Sequence, residues 1–270
     1  MSRSALRPAG RGHRRTSGSV LAAGVAREAV AAAVGGLPRL PGPTPSEPRP
    51  GLGHPRPSRG PERTAPPVIL VHGLWSSPTC WFALRRALRA AGRTVVSFEY
   101  SPWASSVEEL ADRLRTVAEE LIAATDGGRV HLIGHSLGGV IIAQALADGG
   151  LAGRVDLVAT LGSPFGGSPW ATLCPLGPPL LRALRPGSPL LRRLGRARPP
   201  AGVRWLAFVS AFDPIVPAGR AVPVHREVTQ VNVGAAGHCG MVLDPGVIAH
   251  LVAATAAPAD SVDSGDRLAA

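Results

Sequence analysis

The sequence contains no lysine: all 29 basic residues are arginine, against 18 acidic residues, which gives a net charge of +11. The excess is uneven, because residues 1–66 carry 11 arginines and three acidic residues, a net charge of +8. The same segment lacks aromatic side chains, whereas proteins that bind nucleic acids combine basic clusters with aromatic stacking partners. We therefore predict no nucleic-acid partner and interpret the arginine content as a coding bias.

Cysteine is also scarce, with three residues in the whole chain. Three cysteines allow at most one disulfide, and their spacing matches neither a zinc-binding nor a redox motif. We expect them to be reduced and buried. Cys239 follows a histidine directly, but neighbouring side chains point in different directions, so we do not assign it as a nucleophile.

The N-terminal part has no long uncharged apolar run. Residues 20–37 are rich in alanine and valine and predict a helix, but Arg27 and Glu28 interrupt them and argue against a membrane span. Arg14 and Arg15 ahead of a short apolar run give a weak resemblance to a signal peptide, and an amphipathic helix docked on the domain or on a membrane is the alternative. We expect a cytoplasmic or peripheral membrane location rather than secretion.

Composition also indicates the domain boundaries. Residues 38–67 are dense in proline, glycine, arginine and serine, which is typical of a linker. We predict a mostly disordered basic extension over residues 1–66, a folded domain over residues 67–258 and a flexible tail over residues 259–270.

Within the folded domain, short β-rich apolar runs alternate with helical patterns, which predicts a mostly parallel sheet flanked by helices. The predicted strands cover residues 68–71, 94–100, 129–134, 155–161, 203–210 and 228–233. The predicted helices cover residues 81–90, 107–124, 137–147 and 246–254. The fold class is therefore α/β, with about six strands.

A G-x-S-x-G motif lies between a predicted strand and a predicted helix, with Ser136 at its centre and His135 and Leu137 on either side. Gly134 and Gly138 suit a sharp strand-to-helix turn, in which side chains at these positions would collide. Such a turn exposes the serine hydroxyl at a helix N-terminus, where developing negative charge is favoured. We predict that Ser136 is a nucleophile.

A serine nucleophile requires a general base and an acid that orients the base. Asp213 follows the fifth predicted strand, and His238 follows the sixth in a glycine-flanked loop. We predict that Asp213 is the acid and His238 the base, in the chain order Ser, Asp, His.

Other acids and histidines are less well placed. Asp156 is at the start of its strand, whereas ligands bind at the carboxyl ends of parallel strands. Asp244 is close to His238 in sequence and remains the alternative acid. His225 precedes its strand and His250 lies within the last helix. His135, inside the G-x-S-x-G turn, is interpreted as a packing residue or as a residue that supports the site from behind, rather than as the base.

Acyl transfer also needs N–H donors for the tetrahedral oxyanion. The N–H of Leu137 follows the nucleophile directly. The loop after the first strand offers the N–H of Leu74, because Gly73 lets the chain turn back towards the site.

These motifs together resemble bacterial lipases and esterases of the α/β-hydrolase superfamily, over about residues 66–256. The motifs are PVILVHG at 67–73, GHSLGG at 134–139, TLGSPFGGS at 160–168, FDPIVP at 212–217 and GH at 237–238. The resemblance implies an α/β-hydrolase fold and ester hydrolysis without a metal or an organic cofactor, with Ser136, Asp213 and His238 in the roles given above. It departs at Phe165, where related lipases usually carry a histidine or another polar residue.

Residues 164–200 are rich in leucine, arginine and proline and follow a strand end. We predict a lid insertion with an apolar inner face and a basic outer face suited to anionic lipids; a permanently packed cap is the alternative. We expect a monomer that hydrolyses lipid or medium-chain acyl esters, with peripheral contact to lipid surfaces. The alternatives are an acyltransferase, a thioesterase or a lipid-anchor deacylase with the same triad, or a non-catalytic relative of the fold.

Overall fold

A computed structural model of the protein describes residues 65–125, 128–198, 200–224 and 227–256. The predicted basic extension, apart from residues 65 and 66, lies outside the described residues. The predicted C-terminal tail and His225 lie outside them as well.

The described strands form one six-stranded sheet in the order β2-β1-β3-β4-β5-β6. The strands are β1 (Val68–Val71), β2 (Val95–Phe98), β3 (Val130–His135), β4 (Val155–Leu161), β5 (Arg204–Val209) and β6 (Val228–Asn232). All five pairings between them are parallel, so the predicted sheet is confirmed. The second strand is shorter than predicted, because pairing with β1 ends at Phe98.

Seven α-helices connect the described strands or follow them. They are α1 (Phe82–Ala90), α2 (Val107–Ala123), α3 (Leu137–Leu146), α4 (Trp170–Leu173), α5 (Pro179–Ala183), α6 (Pro189–Leu194) and α7 (Pro245–Ala256). Four short 3₁₀ helices cover Pro78–Trp81, Ala147–Gly149, Ala218–Arg220 and Gly240–Leu243. The first of these contains the predicted start of α1, because Pro78 opens a 3₁₀ turn ahead of the helix.

The helix α2 illustrates how the sequence sets an element. Its apolar residues recur every three or four positions, and that side of the helix is buried against the sheet and α3. The hydroxyl of Ser106 caps the helix by accepting from the N–H of Glu109, and Glu108 and Glu109 place negative charge in the first turn.

The sheet is buried on both faces. Alternate residues of the central strands enter two different apolar clusters, one beneath α2 and α3 and the other beneath α1 and α7. Because every strand runs in the same direction, the segments that leave the strand ends meet at one carboxyl edge.

The segment 164–200 contains the three shortest of the described α-helices and contributes buried leucines to the apolar core. Six of its leucines are buried in the cluster that α2 and α3 also form: Leu180, Leu181, Leu184, Leu190, Leu191 and Leu194. By contrast, Trp170, Leu173 and Leu176 are 52%, 68% and 95% exposed. The leucine-rich part of the predicted lid thus packs as the crossover between β4 and β5, and its movement stays a prediction.

Candidate active site

Ser136 joins the end of β3 to the start of α3. Its backbone has φ 53° and ψ −123°, a left-handed conformation that is rare for a residue with a side chain. The surrounding sheet and helix hold it there, and the N–H of Ser136 donates to the carbonyl of Leu161 at 2.9 Å. This is the sharp turn that the G-x-S-x-G motif predicts.

The two motif glycines allow close backbone contacts. A Cβ atom at Gly134 would lie 2.6 Å from the nitrogen of Gly139, and one at Gly138 would lie 2.1 Å from the carbonyl oxygen of Val71. Both distances are shorter than a van der Waals contact, so no larger residue fits. Gly138 thereby brings the start of α3 against the end of β1.

The structure places Ser136, His238 and Asp213 in one hydrogen-bonded chain. The Nε2 atom of His238 lies 3.0 Å from the Oγ of Ser136, and its Nδ1 lies 2.8 Å from the Oδ2 of Asp213. The three residues are 8%, 5% and 7% exposed, so this chain is largely shielded from bulk water. With the Nδ1–H donated to the carboxylate, Nε2 has a lone pair facing the serine hydroxyl.

The carboxylate of Asp213 is itself fixed by its own loop. Its Oδ1 accepts from the N–H groups of Ile215 and Val216, each at 2.8 Å. The hydroxyl of Ser210 donates to the carbonyl of Gly234 at 3.0 Å, which ties this loop to the loop that carries His238. One carboxylate oxygen is therefore held by backbone donors while the other faces the imidazole.

The alternative acids have other contacts. Asp156 pairs with Arg129 at 2.5 Å near the amino ends of the strands, away from Ser136. The Oδ1 of Asp244 accepts from the N–H groups of Gly246 and Val247 at the start of α7. His250 lies in α7, where its ring packs edge-on against Phe208 of β5.

The loop after β1 lies beside Ser136. A Cβ atom at Gly73 would lie 3.1 Å from the Cβ of Ser136, so Gly73, the residue before Leu74, packs closely against Ser136. Leu137 is the first residue of α3, and the first N–H groups of a helix have no acceptor within it. The two elements that carry the predicted oxyanion donors are thus adjacent.

Tyr100 supports this loop and was not predicted to belong to the site. Its hydroxyl donates to the carbonyl of His72 at 2.8 Å, and its ring stacks on the His72 imidazole with centroids 4.2 Å apart. Burial raises the pKa of Tyr100 well above its usual value, so the hydroxyl stays a donor. The available sequence signal was its position at the end of the predicted second strand, as the one tyrosine of the chain.

Gly162 is a second residue that sequence reasoning did not assign. It follows β4 with φ 55°, and a Cβ atom there would lie 2.9 Å from Asp213 Oδ2 and 3.2 Å from His238 Nδ1. The signal that could have indicated Gly162 is its place directly after β4, because β4 is the neighbour of β3, the strand that leads to Ser136.

The described part of the chain offers no group of three or more His, Cys, Asp or Glu residues that could hold a metal ion. The three cysteines form no disulfide with one another, and Cys239 is partly buried. Cys174 is exposed, so the predicted burial is wrong for this residue, which lies on the surface just after α4. Cys80 is buried, and burial raises the pKa of its thiol to about 11. Among the described helices, none has the length and apolar character needed to cross a membrane.

The fold and this geometry define a class: a parallel α/β sheet with a hydroxyl, an imidazole and a carboxylate in series at its carboxyl edge. The model of the alpha/beta hydrolase family matches residues 68–262, which is more than half of the chain. The chain therefore belongs to the α/β-hydrolase family, and the predicted family and fold are confirmed.

Individual relatives carry the names of esterases and lipases. A probable esterase from Oryza sativa subsp. indica is 34% identical over 84 residues, which are 29% of this chain and 32% of the relative. The chain thus aligns with about a third of the length of the curated relatives it matches. Among solved structures, a Bacillus licheniformis lipase in its mature form has a TM-score of 0.58 at 17% identity and covers 73% of this chain and 95% of its own. Lipase B of Aspergillus fumigatus has a TM-score of 0.61 at 21% identity, over 73% of this chain and 53% of its own.

Proposed function

We propose that the protein is a carboxylic ester hydrolase that acts through an acyl-enzyme on Ser136. The observation that carries the proposal is the chain of two hydrogen bonds from Ser136 through His238 to Asp213, of 3.0 and 2.8 Å. The family membership and the esterase and lipase names of the relatives support it.

The residues have the following roles. The Oγ of Ser136 attacks the ester carbonyl carbon while His238 Nε2 takes the hydroxyl proton, and Asp213 stabilises the imidazolium that forms. The proton then passes to the departing alcohol, and the acyl group stays on Ser136. Water attacks this acyl-enzyme, gives its proton to His238 and releases the acid, which regenerates the serine.

The oxyanion of each tetrahedral intermediate would rest on the N–H groups of Leu74 and Leu137. Donors of this kind are worth roughly 3 kcal/mol each in the transition state. The contact between Gly73 and Ser136 and the position of Leu137 at the helix start support this assignment.

The exposed apolar side chains favour a lipid or medium-chain acyl ester as the substrate. In the described part of the chain, three large exposed hydrophobic residues lie within five residues of a strand's carboxyl end: Trp75 after β1, Trp103 after β2 and Phe212 after β5. Trp170, Leu173 and Leu176, which are also exposed, lie further along the segment after β4. Trp170 is joined to the loop of the catalytic acid, because its indole N–H donates to the carbonyl of Pro214 at 2.7 Å.

Hydrolysis of p-nitrophenyl esters of increasing acyl length tests the substrate class. We expect kcat/KM to rise from the acetate to medium-chain esters, and Ser136→Ala to abolish turnover at every length. A profile that favours the acetate, together with no hydrolysis of an emulsified triglyceride, would limit the protein to small esters.

The exposed apolar side chains, together with the arginines of residues 164–200, also support peripheral contact with an anionic lipid surface. Residues 164–200 contain six arginines and no acidic residue, and Arg182 on α5 is exposed. Co-sedimentation with vesicles of phosphatidylcholine and phosphatidylglycerol tests the contact. We expect binding that weakens with salt and with Trp103→Ala, while p-nitrophenyl acetate hydrolysis by that variant stays unchanged. No binding by wild type would contradict the lipid contact, and equal binding by wild type and variant would exclude Trp103 from it.

A further inference from the structure

His135 precedes the nucleophile and touches the loop that carries the base. Its Nε2 lies 3.0 Å from the backbone carbonyl oxygen of His238, and the two imidazole rings have centroids 4.8 Å apart. A Cβ atom at Gly73 would lie 3.1 Å from its Nδ1, so the ring also borders the loop after β1. One buried side chain therefore contacts the base loop and the predicted oxyanion loop.

The protonation state of His135 follows from its surroundings. Burial lowers the pKa of His135, and the neighbouring His238 lowers it further, to about 3. The ring is therefore neutral at neutral pH. A neutral imidazole carries one N–H, and a carbonyl oxygen can only accept. The proton must therefore be on Nε2, which makes His135 the donor in its contact with His238.

This hydrogen bond acts on the backbone of the general base. The loop that carries His238 begins at Gly234, whose φ is 38°, and contains a second glycine, Gly237. Other hydrogen bonds hold this loop at the carbonyl of Gly234, from Ser210, and at the carbonyl of Gly237, from the N–H of Met241. The bond from His135 acts on the peptide of His238 itself, the residue whose ring must lie between Ser136 and Asp213.

We propose that His135 is a positioning residue for the general base, because its Nε2–H holds the peptide of His238 in register with Ser136. This inference rests on the proposed ester hydrolysis. It adds that the position of the His238 ring depends on a neutral hydrogen-bond donor, His135, at the end of β3.

Two substitutions separate the donor from the bulk of the ring. His135→Phe keeps a planar buried ring and removes the donor, whereas His135→Gln keeps an amide N–H at a similar reach. His135→Asn is smaller and ends short of the carbonyl, so it lacks the donor even if the phenylalanine variant does not fold. His131→Phe is the matched control, because His131 lies four residues earlier on the same strand, is 2% exposed and does not touch Ser136, Asp213 or His238.

Steady-state kinetics on p-nitrophenyl butyrate, with the free energy of unfolding measured for each variant, tests the proposal. We expect His135→Phe and His135→Asn to lower kcat by about tenfold to a hundredfold, with KM within about twofold of wild type. His135→Gln should recover most of kcat, and His131→Phe should retain wild-type kcat even if it unfolds more easily.

Two results would overturn the positioning role. The first is wild-type kcat in a folded His135→Phe or His135→Asn variant. The second is a loss in His135→Gln as large as that in His135→Phe, because ring shape rather than the donor would then matter. Failure of the proposed function itself looks different, since wild type would then hydrolyse no ester.

Discussion

At the scale of single residues, Gly162 is the position where one added methyl group would disturb the pair of Asp213 and His238. We expect Gly162→Ala to lower kcat by about tenfold or more, because its Cβ would lie 2.9 Å from the carboxylate oxygen that faces the imidazole. Kinetics on p-nitrophenyl butyrate checks this. Gly202→Ala is the control, since Gly202 also has a positive φ, 78°, but nothing lies within 4 Å of its Cβ position. Equal effects of the two substitutions would mean that backbone strain alone is responsible.

Tyr100 allows a test of the loop that carries Leu74. Tyr100→Phe removes the hydroxyl that donates to the carbonyl of His72, and a buried carbonyl without its donor costs about 1–3 kcal/mol. We expect this loss of unfolding free energy in urea, together with a fall in kcat of about tenfold, because the loop is less well fixed beside Ser136. A loss of stability with unchanged kcat would show that the hydroxyl supports the fold and not the oxyanion site.

At the scale of elements, β3 buries a histidine near each end, and both resist protonation in the folded state. Burial lowers the pKa of His131 to about 4 and that of His135 to about 3. Below the unfolded value of 6.5 the unfolded chain binds more protons, so stability falls as the pH drops from about 6.5 to about 4. For His131 the loss is on the order of 3 kcal/mol.

Urea unfolding at pH 7.5 and pH 4.5 measures this loss directly. We expect His131→Phe, which cannot be protonated, to lose less unfolding free energy between the two pH values than wild type does. An identical decrease in both proteins would contradict the assignment of acid sensitivity to His131.

The elements differ in how well the sequence predicts them. The strands β1, β3 and β4 were predictable because they are buried on both faces, so each is a short apolar run between polar turns. The segment 164–200 was harder, because its three helices are only four, five and six residues long and its leucines suit a lid and a packed crossover equally well. Burial separates the leucines of α5 and α6, which are packed in the core, from the exposed Leu173 and Leu176. Burial depends on neighbours that are distant in sequence.

The site shows the same division. That Ser136, Asp213 and His238 lie close together was predictable because the strand ends of a parallel sheet converge at one edge. The contacts of Tyr100, Gly162 and the His135 ring with the site were not, since each joins segments that are far apart in sequence and depends on side-chain geometry.

At the scale of the whole molecule, the parallel sheet brings the three hydrogen-bonded side chains and the loops that carry Trp75, Trp103 and Phe212 to the carboxyl ends of its strands. The proposed function uses both, the polar chain for the chemistry and the apolar side chains for contact with the acyl group. We propose that this arrangement makes the hydroxyl of Ser136 nucleophilic.

Labelling with a fluorophosphonate, located by peptide mass spectrometry, tests that claim most directly. We predict a single adduct on Ser136, and a labelling rate in Asp213→Asn that is lower by about two to four orders of magnitude, because the imidazole loses its orienting carboxylate. An adduct at another residue, or unchanged labelling in Asp213→Asn, would contradict the account.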